Sequence, residues 1–208
     1  MLGYHDVILN TWGKDIPPGV DLRFFSGDAA CWMLNPGPEE VFLQVSDDYM
    51  SLPLKTKGII EWSLQNGYGY TFLCDTDTFL IPDKLMRTSF PKYDYAGRFG
   101  AMPAIGTTFH YRDAHGDYPN CHPWASGGVG YFVSRKAGEL VARSQPEVWA
   151  EDLWIGQVLG PHIQAGTITA SDLPIECDSA WHFPRRSHNN ESYDPKFRWM
   201  EKMYAENK

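Results

Sequence analysis

The run Tyr70-Thr71-Phe72-Leu73-Cys74 carries strand-forming apolar residues straight into Asp75-Thr76-Asp77, and the chain turns apolar again at Phe79-Leu80. A strand end is a rigid platform, and alternate residues of an extended segment point the same way. Asp75 and Asp77 are therefore expected to face one point, where two carboxylates repel unless a cation lies between them. The plainer alternative is an acidic loop after a core strand. The apolar residues on both sides weigh against it, because they hold the carboxylates close to the core. The stretch predicts a metal site.

Around it the chain alternates between strand and helix signals. Residues 20–27 (Val-Asp-Leu-Arg-Phe-Phe-Ser-Gly) alternate apolar and polar and predict a strand, and Val41-Phe42-Leu43-Gln44-Val45 predicts a second. Helical spacing of Ile59, Ile60 and Trp62 predicts a helix over 54–64, stopped by Asn66-Gly67. Further strands are expected near 93–98 and 129–134. Helices are expected at 83–86, at 135–143 and from Glu151 to Leu159, the last with acidic residues in its first turn. Residues 6–13 read as the end of a helix. Residues 100–124, rich in Gly, Pro, His and Tyr and poor in periodicity, predict a long loop that orders over a ligand. A strand–helix–strand rhythm implies an α/β fold with a mostly parallel central sheet. Ligands of such sheets sit beyond the C-terminal strand ends, where Asp75 and Asp77 fall.

Composition narrows the class. A chain of 208 residues is expected to fold as one domain, which buries about 70% of its unfolded surface. A net charge of −8 with no long basic run argues against nucleic acid as a partner. Cys31, Cys74, Cys121 and Cys177 are widely spaced with no CxxC pair, so reduced thiols and a cytoplasmic protein are expected. No signal peptide and no apolar run near 18 residues is present, so no membrane anchor is expected. Aromatics make up 14%, and sugar rings have apolar faces that pack on aromatic planes, which tilts the reading slightly toward carbohydrate.

Five landmarks in order carry a resemblance. They are Thr11-Trp12-Gly13, the segment Asp48-Tyr49-Met50-Ser51-Leu52-Pro53-Leu54-Lys55-Thr56, Asp75-Thr76-Asp77, Ser126-Gly127-Gly128 before a strand, and Glu151-Asp152 followed by Gly156. Together they resemble the β-1,3-galactosyltransferase/Fringe family over residues 10–183. The resemblance implies a single-domain GT-A fold, a nucleotide-sugar donor (usually a UDP-sugar), a divalent cation and inversion at the anomeric carbon. It also implies a glycan or glycoprotein acceptor. The family places a strand ahead of its T-W-G helix, and here that strand is expected to be missing, shortened, or supplied by residues 4–9. Lacking an anchor, the chain looks more like bacterial or viral members, or one domain of a larger polypeptide.

The chemistry agrees with that resemblance. Breaking a sugar–diphosphate bond leaves charge that Mn²⁺ or Mg²⁺ on oxygen ligands stabilises, and an imidazole in the set favours Mn²⁺. Asp77 is the expected direct ligand, and Asp75 is expected at the ribose or at the metal through water. By the resemblance His182 closes the metal site, with His188 as competitor. Asp152 is the expected base, although a helix-starting carboxylate is the ordinary alternative. Gly127 and Gly128 would let backbone approach a sugar. Lys55 and Arg98 could neutralise phosphate, as could Arg185 and Arg186, but exposed helix and strand faces explain the first two equally well. Two other classes stay open. A haloacid-dehalogenase-like phosphatase also begins with an apolar strand ending in D-x-D, but it wants Thr or Val where Phe79 stands. A non-catalytic sugar-binding module would need no base.

Overall fold

The computed structural model describes residues 2–27, 37–182 and 194–208. The fold is mixed α/β. Its centre is the four-stranded sheet of β3 (Tyr70–Leu73), β8 (Tyr131–Ser134), β5 (Tyr95–Gly97) and β9 (Ala170–Asp172), in that spatial order. β8 is buried at all four positions and runs antiparallel to both β3 and β5, while β9 joins β5 in parallel. The described residues also form three small two-stranded sheets. β1 (Phe24–Ser26) and β2 (Glu40–Phe42) pair in parallel. β4 (Thr78–Leu80) with β10 (Ala180–His182), and β6 (Phe109–Arg112) with β7 (Asp117–Cys121), pair antiparallel.

The expectation of one mostly parallel sheet is corrected in this respect. β3, β5 and β9 share a direction, but β8 is inserted between the first two in the opposite sense. A strand–helix–strand rhythm records which elements alternate along the chain, not which strand slips between two others. Inserting one reversed strand turns two pairings antiparallel at once.

Alternation along β8 explains how the layers are bound. Phe132 points into a core with Ile8, Trp12, Phe79, Phe90 and Met200. Tyr131 and Val133 point to the other side, onto Ile60, Val141, Trp154, Ile155 and Leu159. The second face is thus covered by α2 (Leu52–Gln65), α4 (Arg135–Arg143) and α5 (Glu151–Gln164). The first is covered by α1 (Leu2–Asn10), α3 (Pro82–Met86) and α6 (Asp194–Glu206). Each helix forms for a local reason. Ser134 accepts a hydrogen bond from the Ala137 N–H at 3.2 Å and caps α4, and Pro53 occupies the first turn of α2, where its missing N–H is not needed.

Three other expectations change. Residues 4–9 belong to α1, so no strand precedes Trp12 among the described residues. The stretch expected as a long loop holds the β6–β7 hairpin, turned by Asp113, whose Oδ1 accepts the N–H groups of His115 and Gly116, each at 2.8 Å. Sequence pattern hid the hairpin because a register shift between Phe109 and Tyr111 breaks the period of two and Pro119 interrupts β7. The strand expected through Asp75 and Asp77 is interrupted there, with β3 ending at Leu73 and β4 beginning at Thr78. Arg185, Arg186 and His188 lie outside the described residues.

The ring of Phe132 stacks on Phe90 at 4.0 Å and contacts Phe72 at 4.6 Å in the middle of the sheet. Phe132→Ala is expected to cost about 3–5 kcal/mol of folding stability. Urea unfolding that gives less than about 1 kcal/mol would mean this stack is not central to the core.

Candidate functional site

Asp75 and Asp77 converge through a turn rather than through strand alternation. The Thr78 N–H donates to the Asp75 carbonyl at 3.1 Å, closing a tight turn that swings both carboxylates to one side. His182 is delivered by β10, whose register sets it opposite Thr78, one residue from Asp77. Its Nδ1 lies 3.5 Å from Asp77 Oδ1 and 3.4 Å from the Thr78 hydroxyl. One ligand atom from each of Asp75, Asp77 and His182 lies within 4.8 Å of the others. A cation bound at about 2.1 Å accepts donors up to roughly 4.2 Å apart, so a small inward movement completes the set. Two carboxylate oxygens and one imidazole suit Mn²⁺ or Mg²⁺, with the nitrogen favouring Mn²⁺. The residues fit such a metal.

The wall facing this cluster is the Ser126–Gly130 turn that feeds β8. Thr78, fully buried, donates its hydroxyl to the Gly128 carbonyl at 2.6 Å, so it ties that turn to the metal-ligand turn. Glycine is required by close approach. A Cβ on Gly128 would sit 2.8 Å from His182 Nε2, and one on Gly127 would overlap the Glu151 carboxyl.

Glu151 and Asp152 open α5 behind the glycines and point to different places. Glu151 accepts a hydrogen bond from the buried Tyr131 hydroxyl at 2.9 Å. Desolvation, helped by the neighbouring Asp152 charge, pushes its carboxyl well above the ordinary range. Asp152 accepts the Gly127 N–H at 3.2 Å and the Leu153 N–H at 2.8 Å. Burial raises its pKa as well, opposed by those backbone hydrogen bonds.

Two cavities flank the glycine turn. The larger, of about 760 Å³, reaches Asp75, Asp77, Gly127 and Glu151 at one end and Trp12 and Arg23 at the other. The smaller, of about 230 Å³, is lined by Asp152 together with Arg98, Trp124 and Ser126. Asp75, Asp77, His182, Gly127 and Gly128 are therefore brought together, and Asp152 joins them from the smaller cavity through its bond to the Gly127 N–H. Lys55 lines the larger cavity with its ammonium in close contact with the Asp47 carboxylate. Arg98 does not join the metal side. It lines the smaller cavity, where its guanidinium bonds Asp172 and Glu176, each at 3.1 Å. Partner charges on distant β9 and on residue 176 drew it there, and no local pattern announces them.

Sequence reasoning missed three residues of this site. Thr78 carries the link between the two turns, Tyr131 holds Glu151, and Arg23 supplies a cation to the larger cavity. Only Thr78 had a signal, its place directly after Asp77. The described cysteines Cys74, Cys121 and Cys177 are free thiols, and burial pushes Cys74 up to about 12, so it is inert packing. No helix among the described residues is long and apolar enough to cross a membrane.

Gly128→Ala should displace His182 and weaken Mn²⁺ binding by about tenfold or more, as loss of a group that orients a ligand does. Unchanged Mn²⁺ affinity by calorimetry in a folded variant would remove His182 from the ligand set. Glu151 generates a pH effect of definite sign. The unfolded chain releases its proton near the ordinary 4.5, whereas the folded chain holds it to higher pH. Stability therefore falls as pH rises from about 4.5 toward the folded pKa. Glu151→Gln, which keeps an acceptor for Tyr131, should raise the melting temperature at pH 7 and flatten that slope. A lower melting temperature at pH 7 would show that Glu151 is ionised in the folded chain.

No known protein-family model matches the chain, and no curated protein is significantly similar to it, so the geometry of the site carries the functional reading.

Proposed function

We propose that the chain is a metal-dependent inverting glycosyltransferase of the GT-A type, moving a sugar from a nucleotide-sugar, most simply a UDP-sugar, to a hydroxyl of a glycan or glycoprotein. The observation that supports this best is a single convergence. Two carboxylates and a histidine suited to a divalent cation meet the mouth of a large cavity, and the Gly127–Gly128 wall stands between them and a half-buried carboxylate on α5.

In this reading Asp75, Asp77 and His182 hold Mn²⁺ or Mg²⁺, which supplies Lewis-acid stabilisation of charge on the diphosphate. The nucleotide occupies the larger cavity, whose walls contain aromatic and apolar side chains along with Arg23 and Lys55. Bare backbone at Gly127 and Gly128 lets the donor sugar lie against the turn. Asp152 takes the proton of the acceptor hydroxyl. The freed oxygen pair forms the new bond to the anomeric carbon, and the carbon–oxygen bond to the diphosphate breaks, with UDP leaving with that electron pair. A carboxylate whose pKa is raised by burial is a better base near neutral pH than an ordinary one, and both backbone N–H bonds hold it in place.

Asp152→Asn keeps the shape and cannot accept the proton. Transfer should fall about 10²–10⁴-fold, with metal-dependent UDP affinity and thermal stability near normal. Full transfer by this variant would remove Asp152 from the base role. A wild-type chain that binds UDP-sugars and turns none over would make the protein a sugar-binding module.

A further inference from the structure

The smaller cavity has a construction of its own. Both ends of the long 99–124 segment frame it, through Phe99, Gly100 and Met102 on one side and Trp124 on the other. The hairpin within that segment braces the wall. Phe109 stacks on Trp124 at 6.1 Å, and Tyr111 meets the same ring edge-on at 5.0 Å. The floor is polar, with Ser126, Asp152, Arg98 and Glu176. Apolar wall and hydrogen-bonding floor together match a sugar ring, which has C–H faces and an equatorial belt of hydroxyls.

Charge then narrows the ring. Among the described residues Arg98 is the only cation lining this cavity, and it is held between two carboxylates, Asp172 through Nη1 and Glu176 through Nε. Asp172 is itself fixed, since its Oδ1 accepts the Phe99 N–H at 2.9 Å. Asp152 lines the same cavity, so three carboxylates stand at or beside it against one guanidinium, and the local charge is negative. A hydroxyl finds donors and acceptors here, whereas a carboxylate, sulfate or phosphate on the incoming sugar meets like charge with its one possible partner already engaged.

We propose that this cavity is the acceptor subsite and that it selects a neutral sugar over an anionic one, with Glu176 as the specificity-determining residue. The inference rests on the glycosyltransferase reading. The acceptor hydroxyl lies at Asp152, gives it the proton and bonds the donor's anomeric carbon beside the glycine turn, as the carbon–oxygen bond to the diphosphate breaks and UDP leaves with its electron pair. Glu176 acts by keeping the Arg98 charge engaged and by adding its own.

The test uses the full chain with Mn²⁺ and a panel of UDP-sugars, and compares p-nitrophenyl hexosides with the corresponding hexuronides as acceptors. The hexoside should be preferred at least about tenfold in kcat/KM. Glu176→Gln should narrow that preference at least fivefold by raising the hexuronide rate, with metal-dependent UDP affinity unchanged by calorimetry. Met102→Trp, which narrows the cavity from its Phe99–Met102 side and away from the glycine turn, should sharply reduce transfer to the hexoside while UDP binding and slow donor hydrolysis persist. Equal use of hexoside and hexuronide, or a Glu176→Gln variant that changes both alike, overturns the proposal. So does transfer that survives Met102→Trp undiminished. In each of those results UDP binding and turnover persist, and the transferase reading stands. A wild-type chain with no metal-dependent UDP affinity overturns that reading and this inference with it.

Discussion

Strand β8 is hydrogen-bonded along both edges and covered on both faces, and most of the molecule takes its position from it. Its backbone is paired to β3 on one side and β5 on the other, and its side chains alternate between the two cores. No residue of it can move without breaking either a ladder or a packed layer. That rigidity passes to the turn before it. Gly130, at φ 104°, sits so close to the Phe72 ring and the Leu73 carbonyl that a side chain has no room, and the turn is held against the end of β3. The Ser126–Gly128 wall of the site is therefore an extension of the most constrained strand in the fold.

Two acidic groupings meet at that wall, Glu151 lining the larger cavity with Asp75 and Asp77 and Asp152 the smaller one, and their environments divide the work. Asp75 and Asp77 lie at a turn open to solvent, where a divalent cation can reach them. Glu151 and Asp152 are covered by the sheet and the hairpin wall, where desolvation favours the protonated form. Adjacent on one helix, they differ in what stands before them. The Tyr131 hydroxyl bonds Glu151 from within the core, whereas Asp152 lines the smaller cavity with its oxygens held by the Gly127 and Leu153 N–H groups. A carboxylate that binds a proton more readily than usual, yet borders space for a substrate, is suited to take a proton during reaction.

Assembly of this site depends on contacts between stretches far apart in the chain. Thr78 joins Gly128 at a separation of 50 residues, and the β4–β10 ladder brings His182 to Asp77 across more than a hundred. Such pairings carry a loop-closure cost that local elements do not, and they are repaid only once the central sheet has formed. The metal cluster is accordingly a product of the completed fold. A cation bound to it would stabilise the folded chain and not the unfolded one.

Much was legible in the residues themselves. Helix α4 spans the expected 135–143 and α2 lies close to the expected 54–64, while α5 starts at Glu151 as expected and runs past Leu159 to Gln164, through Pro161. The acidic motif, the glycine pair and the Glu151-Asp152 start of α5 stood out because each breaks an apolar pattern. Pattern reports only what neighbours along the chain do to one another. The reversed insertion of β8, the delivery of His182 to Asp77, the capture of Arg98 by Asp172 and Glu176, and the opposed directions of Glu151 and Asp152 all depend on partners remote in sequence. Those partners become neighbours only when burial of the two cores has chosen the arrangement. Residue types and local spacing determined which chemical groups this protein brings to a site, and packing of the sheet against its two layers decided which of them meet.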